Sequence, residues 1–417
     1  MRVLPYHLPL VVERARGASI WDADGHELID MNMGYGPLLF GHCPEFINRA
    51  IIQELNQRGT QLGFPHELAF RTAELVKQSF PSVDLLRFTS TGTEAGQTAV
   101  RLARAYTGRP LIVLFEGHYH GSSEGVFHRY HATPADLQTR AGYESIPGTR
   151  GMSRSIECAL VIPWNDTPVL ESVLQAHGHE VAAIVMEPVM GNAGVIAPVP
   201  GFLEDVRGLA DRYGALLIFD EVITGFRVAR GGAQELYGVH PDLTMFSKAI
   251  GGGVPLGAIG GRHDVMKQLA DGTVFHGGVY SGNPLSLAAA LAVQEHYDAR
   301  GTVLYDELWS AASRLAFGLE RLFRDAGVCA AISHVGPMLS CWLLDDASAG
   351  VPHDYRSAAS RTLHERYIRL QHASQLAGVY FHPNRFEPWY LSTAHTPDVV
   401  DTVLERLGHV IGKGDWI

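Results

Sequence analysis

The segment spanning residues 215–262, ALLIFDEVITGFRVARGGAQELYGVHPDLTMFSKAIGGGVPLGAIGGR, constrains the fold more than any other part of the chain. Its first apolar run, residues 215–219, follows Gly214 and is too short for an ordinary helix. It reads as a buried parallel strand ending in Asp220-Glu221. A second run, Leu243–Phe246, ends in Ser247-Lys248 and is followed by Gly251, Gly252 and Gly253. Two strand ends therefore bring a carboxylate and a lysine to one edge of one sheet, which is the edge where open α/β sheets bind ligands.

One chemistry requires that pair. Pyridoxal phosphate condenses with a lysine amine to an imine, and its pyridine nitrogen must stay protonated if the ring is to accept electrons. A buried carboxylate next to the nitrogen keeps the proton there, because low dielectric favours the ionised pair. Asp220 suits that role and Lys248 suits the imine. Taken singly, a surface lysine and a magnesium-binding carboxylate pair are the plainer readings; the ordered string favours the cofactor.

The strings FDEVITGFR and PDLTMFSKAIGGGVPLGAIGGR resemble the aspartate and lysine motifs of class III, fold-type I pyridoxal-phosphate aminotransferases. Within that class the chain is most similar to glutamate-1-semialdehyde aminomutase and its aminotransferase relatives, from about Leu10 to the end. The resemblance implies an α/β fold whose large domain has a mostly parallel sheet flanked by helices, with a smaller α+β C-terminal domain. It also implies a homodimer with active sites near the subunit interface.

Length agrees with more than one core, since 417 residues suit two to three domains. The expected division is an N-terminal segment, 1–45, packing with the small domain, a cofactor-binding domain, 46–300, and a small domain, 301–417. A formal charge of −11 argues against nucleic acid or an anionic membrane as partner. The four cysteines, Cys43, Cys158, Cys329 and Cys341, have no CxxC spacing, so reduced thiols in the cytoplasm are expected. No apolar run has the length of a membrane span, and the N-terminus lacks the pattern of a signal peptide. The histidine pairs His118-x-His120 and His177-x-His179 stand outside any HExxH or Cys/His cluster, so no metal site is expected.

Along the chain, residues 18–30 read as a hairpin around Asp24-Gly25. In the GYG loop that follows, the resemblance places Tyr35 at the substrate pocket. Residues 45–58 and 66–79 have helical spacing. Thr91-x-x-Glu94 is a capping box between a strand and a helix. The free N–H groups of a helix start attract phosphate, and the resemblance makes Thr91, Gly92 and Thr93 the phosphate cradle. After the strand 111–115, it assigns Tyr119 to stacking on the pyridine face with His120 beside it. Residues 128–155 are irregular, as functional or disordered loops are, and the resemblance to the aminomutase implies a lid over the active site there. Glu187 and Asn192 match the family's EP…GN segment, which implies that Asn192 hydrogen-bonds the ring's phenolic oxygen, and Val222 is expected to pack under the ring opposite Tyr119.

The loop 276–284 is expected to cross to a second subunit. Val279 stands where relatives carry a phosphate-binding threonine, leaving the N–H groups of Gly278 and Val279, or the hydroxyls of Tyr280 or Ser281, to compensate. Asn283-Pro284 signals a helix start. In the small domain, helices are expected over 302–326 and 353–376, with strands in 331–344, 378–382 and 389–392. Glu387 matches an aminomutase glutamate that faces the active site. The arginine that holds the substrate carboxylate in the aminomutase aligns just before Met1, and Arg2 reaches that position only with a shifted register.

These readings combine into a pyridoxal-phosphate aminotransferase that moves an amino group between a donor and an aldehyde or keto acceptor through Lys248 and the pyridoxamine form of the cofactor. Intramolecular transfer, as in the aminomutase, is the alternative. A decarboxylase or a non-catalytic cofactor-binding protein is a distant third.

Overall fold

The computed structural model describes residues 7–60, 63–138, 140, 142–152, 158–346 and 350–416. Arg2 and part of the expected lid lie outside them. A seven-stranded sheet forms the centre, built from β4 (Leu85–Thr89), β5 (Leu111–Phe115), β6 (Ala159–Ile162), β7 (Val181–Met186), β8 (Leu216–Asp220), β9 (Leu243–Phe246) and β10 (Gly257–Gly261). Their spatial order is β4-β10-β9-β8-β7-β5-β6, and only β10 runs antiparallel to its neighbours. The C-terminal ends of the other six therefore share one edge.

Strand β8 is buried along its whole length, and its apolar residues alternate between two cores. Leu217 and Phe219 face helices Thr167–His177 and Phe202–Tyr213, whereas Leu216 and Ile218 face helix Gly92–Thr107. Burial on both faces explains why this segment reads as a continuous apolar run. The elements expected at 45–58, 66–79, 111–115, 243–246 and 302–326 appear with boundaries within about two residues, as helix ends normally fray.

Four features differ from the sequence reading. Strand β10, Gly-Ala-Ile-Gly-Gly, carries no strand-like pattern, but glycine is needed there: a Cβ on Gly257 would meet Thr89 Oγ1 and the Thr91 carbonyl at 2.5 Å. The N-terminal hairpin, β2 (Ser19–Asp22) and β3 (Glu27–Asp30), gains a third strand, β1 (Val12–Arg16). The helix expected over 353–376 is two helices, Tyr355–Arg361 and His364–Leu376. It breaks because Leu363 N–H donates to Leu343 O at 2.8 Å, drawing that backbone onto the preceding sheet. Within 128–155, a short helix spans Pro134–Gln138.

Strands β11 (Ala330–Val335), β12 (Met338–Leu343) and β14 (Trp389–Tyr390) form an antiparallel sheet covered by helices Thr302–Asp325 and Pro397–Lys413. The short β13 (Val379–Tyr380) instead pairs parallel with β3, so the two ends of the chain share a sheet. No helix among the described residues is long and apolar enough to cross a membrane.

Candidate active site

The shared strand edge opens into a cavity of about 390 Å³. Strand β8 delivers Asp220, β9 delivers Lys248 after one intervening serine, β5 leads to Tyr119 and His120, and β7 leads to Glu187. Gly92 and Thr93, at the start of helix Gly92–Thr107, close one end, and Tyr35 and Glu387 stand at the cavity wall.

Asp220 is buried, and each of its oxygens is engaged. Oδ2 lies 2.8 Å from His120 Nδ1, and Oδ1 accepts from Val222 N–H at 3.0 Å. Glu187 organises the neighbouring turn: its carboxylate accepts from Tyr119 N–H at 2.7 Å, Gly191 N–H at 2.7 Å and Asn192 Nδ2 at 2.9 Å. Burial pushes the Glu187 carboxyl upward from its ordinary range, against the pull of His120. The Lys248 amine makes no hydrogen bond or ion pair among the described residues; burial lowers its pKa, against the opposing fields of Glu387, Glu187 and Asp220. A lowered amine pKa is what a nucleophilic or proton-carrying lysine requires. Glu387 is pushed up to about 7 by burial, with Lys248 pulling it down.

Lys248 and Tyr35 both have left-handed backbone, with φ of 52° and 66°. That conformation is uncommon away from glycine and concentrates at functional sites. At the helix start, Thr91 Oγ1 accepts from Glu94 N–H at 3.2 Å while Glu94 Oε2 accepts from Ser90 N–H at 2.8 Å. Thr91 is thus a capping residue and does not line the cavity. A Cβ on Gly92 would stand 3.2 Å from Val222 Cγ2 and 3.4 Å from Ser247 Cβ, so glycine keeps this backbone open to the cavity.

The cavity therefore brings together Tyr35, Gly92, Thr93, Tyr119, His120, Glu187, Asn192, Asp220, Val222, Lys248 and Glu387. Gly278 and Val279 are not among its lining residues, and Val279 is 76% exposed. Tyr130, Val189 and Ile223 also line the cavity and were not singled out from sequence. Tyr130 carries no local signal, since it sits in the irregular 128–155 segment and reaches the site by packing on Tyr119, with ring centroids 5.0 Å apart.

An amine, a buried carboxylate and a helix N-terminus around one slot suit a flat aromatic aldehyde carrying a phosphate. Comparison with known proteins agrees. The family profile "Aminotransferase class-III" matches residues 3–401. A glutamate-1-semialdehyde 2,1-aminomutase from Persephonella marina is 39% identical over 95% of this chain and 90% of its own length. Among solved structures, an omega-transaminase from Sphaerobacter thermophilus superposes with a TM-score of 0.89 at 32% identity, covering 97% of this chain and 91% of that one. A glutamate-1-semialdehyde aminomutase from Pseudomonas aeruginosa, solved also with the cofactor's pyridoxamine form, gives 0.85 at 25% identity over 97% and 88%. With the fold, the cavity and the profile match in agreement, the chain belongs to the class-III aminotransferases, enzymes of fold type I that use pyridoxal 5′-phosphate.

Proposed function

We propose that the chain transfers an amino group between two separate small molecules, an amine donor and an aldehyde or keto acceptor. The observation that carries this reading is the convergence of Lys248 and Asp220 on one cavity whose described lining contains no arginine. Pyridoxal phosphate, when bound, supplies an electron sink for the bond broken at the amine-bearing carbon.

The side chains divide the work around it. Lys248 Nζ would anchor the cofactor and, once released, would serve as the proton carrier at the substrate's amine-bearing carbon, a role that its lowered pKa favours. Asp220, oriented by His120 and Val222 N–H, holds the proton on the ring nitrogen. Gly92 and Thr93 receive the phosphate with backbone N–H groups at the helix start, where the dipole favours an anion; Thr91 fixes that start. Tyr119 and Val222, both lining the cavity, would pack against the cofactor ring and exclude water there. Asn192, held by Glu187, would have an amide N–H left to donate to the ring's phenolic oxygen. Tyr35 and Glu387 meet the substrate.

A second copy of the chain completes the site. Phe64, Phe275 and Val279 are 77%, 76% and 76% exposed, a degree of apolar exposure suited to burial in a homodimer. In that assembly the N–H groups of Gly278 and Val279 would approach the phosphate of the neighbouring subunit. The division into 1–45, 46–300 and 301–417 also belongs to this reading, with the β3–β13 pairing supporting an N-terminal segment that packs with the small domain. The four cysteines are free, which suits the cytoplasm.

Intramolecular transfer is the second reading, favoured by the identity with the Persephonella marina aminomutase. The two are separated by converting the protein to its pyridoxamine form, removing free amines and adding glutamate-1-semialdehyde. Intermolecular transfer is supported if no 5-aminolevulinate accumulates while other aldehydes or keto acids restore the pyridoxal spectrum. Sustained 5-aminolevulinate without added donor establishes the aminomutase instead.

A further inference from the structure

Beside the active-site cavity lies a smaller chamber of about 20 Å³, bounded by the end of β5, residues from 126 to 137 and Arg140. Its walls include Glu116, His118, His120, His128 and Arg140. A chamber of this size admits one water molecule, provided two to four polar partners face it. The walls have them: His118 Nε2, His120 Nε2, both ring nitrogens of His128 and Arg140 Nε are buried with no hydrogen-bond partner among the described residues. Leaving so many buried donors and acceptors unmatched is costly.

The tautomers are complementary. His120 Nδ1 faces Asp220 Oδ2 at 2.8 Å, so it carries the proton toward the carboxylate, and Nε2 is an acceptor whenever the ring is neutral. His118 is the reverse, because its Nδ1 accepts from Glu187 N–H at 3.0 Å, leaving Nε2 to carry the proton and donate. The His118 and His120 ring centroids are 5.8 Å apart, and their Nε2 atoms are not bonded to each other. His128 supplies one donor and one acceptor in either tautomer. Burial lowers the pKa of His128 to about 3 and holds that of His118 well below its ordinary value. The one carboxylate in the wall, Glu116, is neutralised by Arg140 and Arg356; Arg129, Tyr130 and Tyr355 complete the polar surround.

We propose that a water molecule bound in this chamber joins His128 to His120 Nε2, making His128 a positioning residue for the His120–Asp220 pair and, through it, for the proton on the cofactor's ring nitrogen. Donation from this water to Nε2 polarises the imidazole and strengthens the Nδ1–H bond to Asp220. The last link rests on the assignment of Asp220 to the ring nitrogen. His128 itself touches neither substrate nor cofactor.

The test has three readouts. A high-resolution crystal structure of the cofactor-free protein should contain an ordered oxygen within hydrogen-bonding distance of His120 Nε2 and His128; an apolar contact or unoccupied density there overturns the proposal. In cofactor-free protein, the downfield proton NMR signal of His120 Nδ1–H should move upfield in His128→Leu and stay near its wild-type position in His128→Gln, which keeps a polar partner. An unmoved signal in a folded His128→Leu protein overturns the water link. Should the leucine variant fail to fold, the crystal structure and the glutamine variant still decide, because a glutamine that displaces the water and shifts the signal as far as a broken bond contradicts the proposal. In holoenzyme carrying ¹⁵N-labelled pyridoxal phosphate, His128→Leu should move the ring-nitrogen resonance and weaken cofactor retention about tenfold. A ring-nitrogen signal that also ignores Asp220→Asn would overturn the assignment of Asp220, an outcome distinct from the cofactor-free result.

Discussion

Burial shifts the Lys248 amine pKa down and the Glu387 carboxyl pKa up, and the consequences of both shifts are open to test. Lys248→Ala should bind the cofactor without a borohydride-stable bond and lose about a hundred- to ten-thousand-fold in turnover, the range associated with removing a positioned acid–base group; mass spectrometry after reduction and single-turnover spectroscopy measure the two effects. Glu387, pushed up to about 7 from an ordinary value of 4.5, has a definite linkage sign. Between those pH values the folded chain retains a proton that the unfolded chain has released, so this residue lowers stability as pH rises across that window. Glu387→Gln should therefore gain on wild type progressively from pH 4.5 to 7 and level off at about 1–3 kcal/mol. The comparison is best read as a difference from wild type in denaturant titrations of cofactor-free protein, because Glu221 is also pushed up to about 7 and contributes with the same sign. A constant difference across the window would mean that Glu387 is not held protonated.

Helix Gly92–Thr107 joins stability to binding at one terminus, and two substitutions separate them. Thr91→Ala removes the acceptor for Glu94 N–H and should cost about 1 kcal/mol in global stability. Gly92→Val fills the space next to Val222 and Ser247 and should weaken pyridoxal phosphate binding at least tenfold, the equivalent of about 1.4 kcal/mol. Calorimetry of the cofactor-free protein and fluorescence titration with pyridoxal phosphate distinguish the effects. Equal losses in affinity from both substitutions would contradict the division. The same element shows how far sequence carries: Thr91-x-x-Glu94 locates the helix start, but the side chains that crowd Gly92 belong to residues more than a hundred positions away.

At the scale of the whole molecule, Glu116 ties three parts together. It sits just past the end of β5 and accepts from Arg140 of the 128–155 segment and from Arg356 of helix Tyr355–Arg361, at 2.7 and 2.8 Å in the latter case. Arg140 is buried, and its Nη1 also donates to Val161 O at 2.7 Å. Glu116→Ala strands a buried guanidinium and should cost about 3–5 kcal/mol, whereas exposed pairs such as Arg314–Asp401 are worth less than about 1 kcal/mol. Chemical denaturation of Glu116→Ala and Arg314→Ala gives the comparison, and limited proteolysis should find earlier cleavage within 128–152 in the first variant only. Similar stability losses in the two variants would contradict this account.

The sequence by itself determined most of the strands and helices, and the Asp220 and Lys248 strand ends, because apolar periodicity, capping residues and glycine boundaries act over a few neighbouring positions. Tertiary structure decided which strand ends meet. His120 reaches Asp220 across 100 residues because the sheet order runs β8-β7-β5, not in sequence order. Strand β10 escapes a propensity reading because two neighbours hold it and close packing requires glycine. Tyr130 enters the cavity through contact with Tyr119, and the helix break at Thr362–Leu363 follows from a hydrogen bond to Leu343. In each of these cases the deciding contact is long-range, so no window of neighbouring residues contains it.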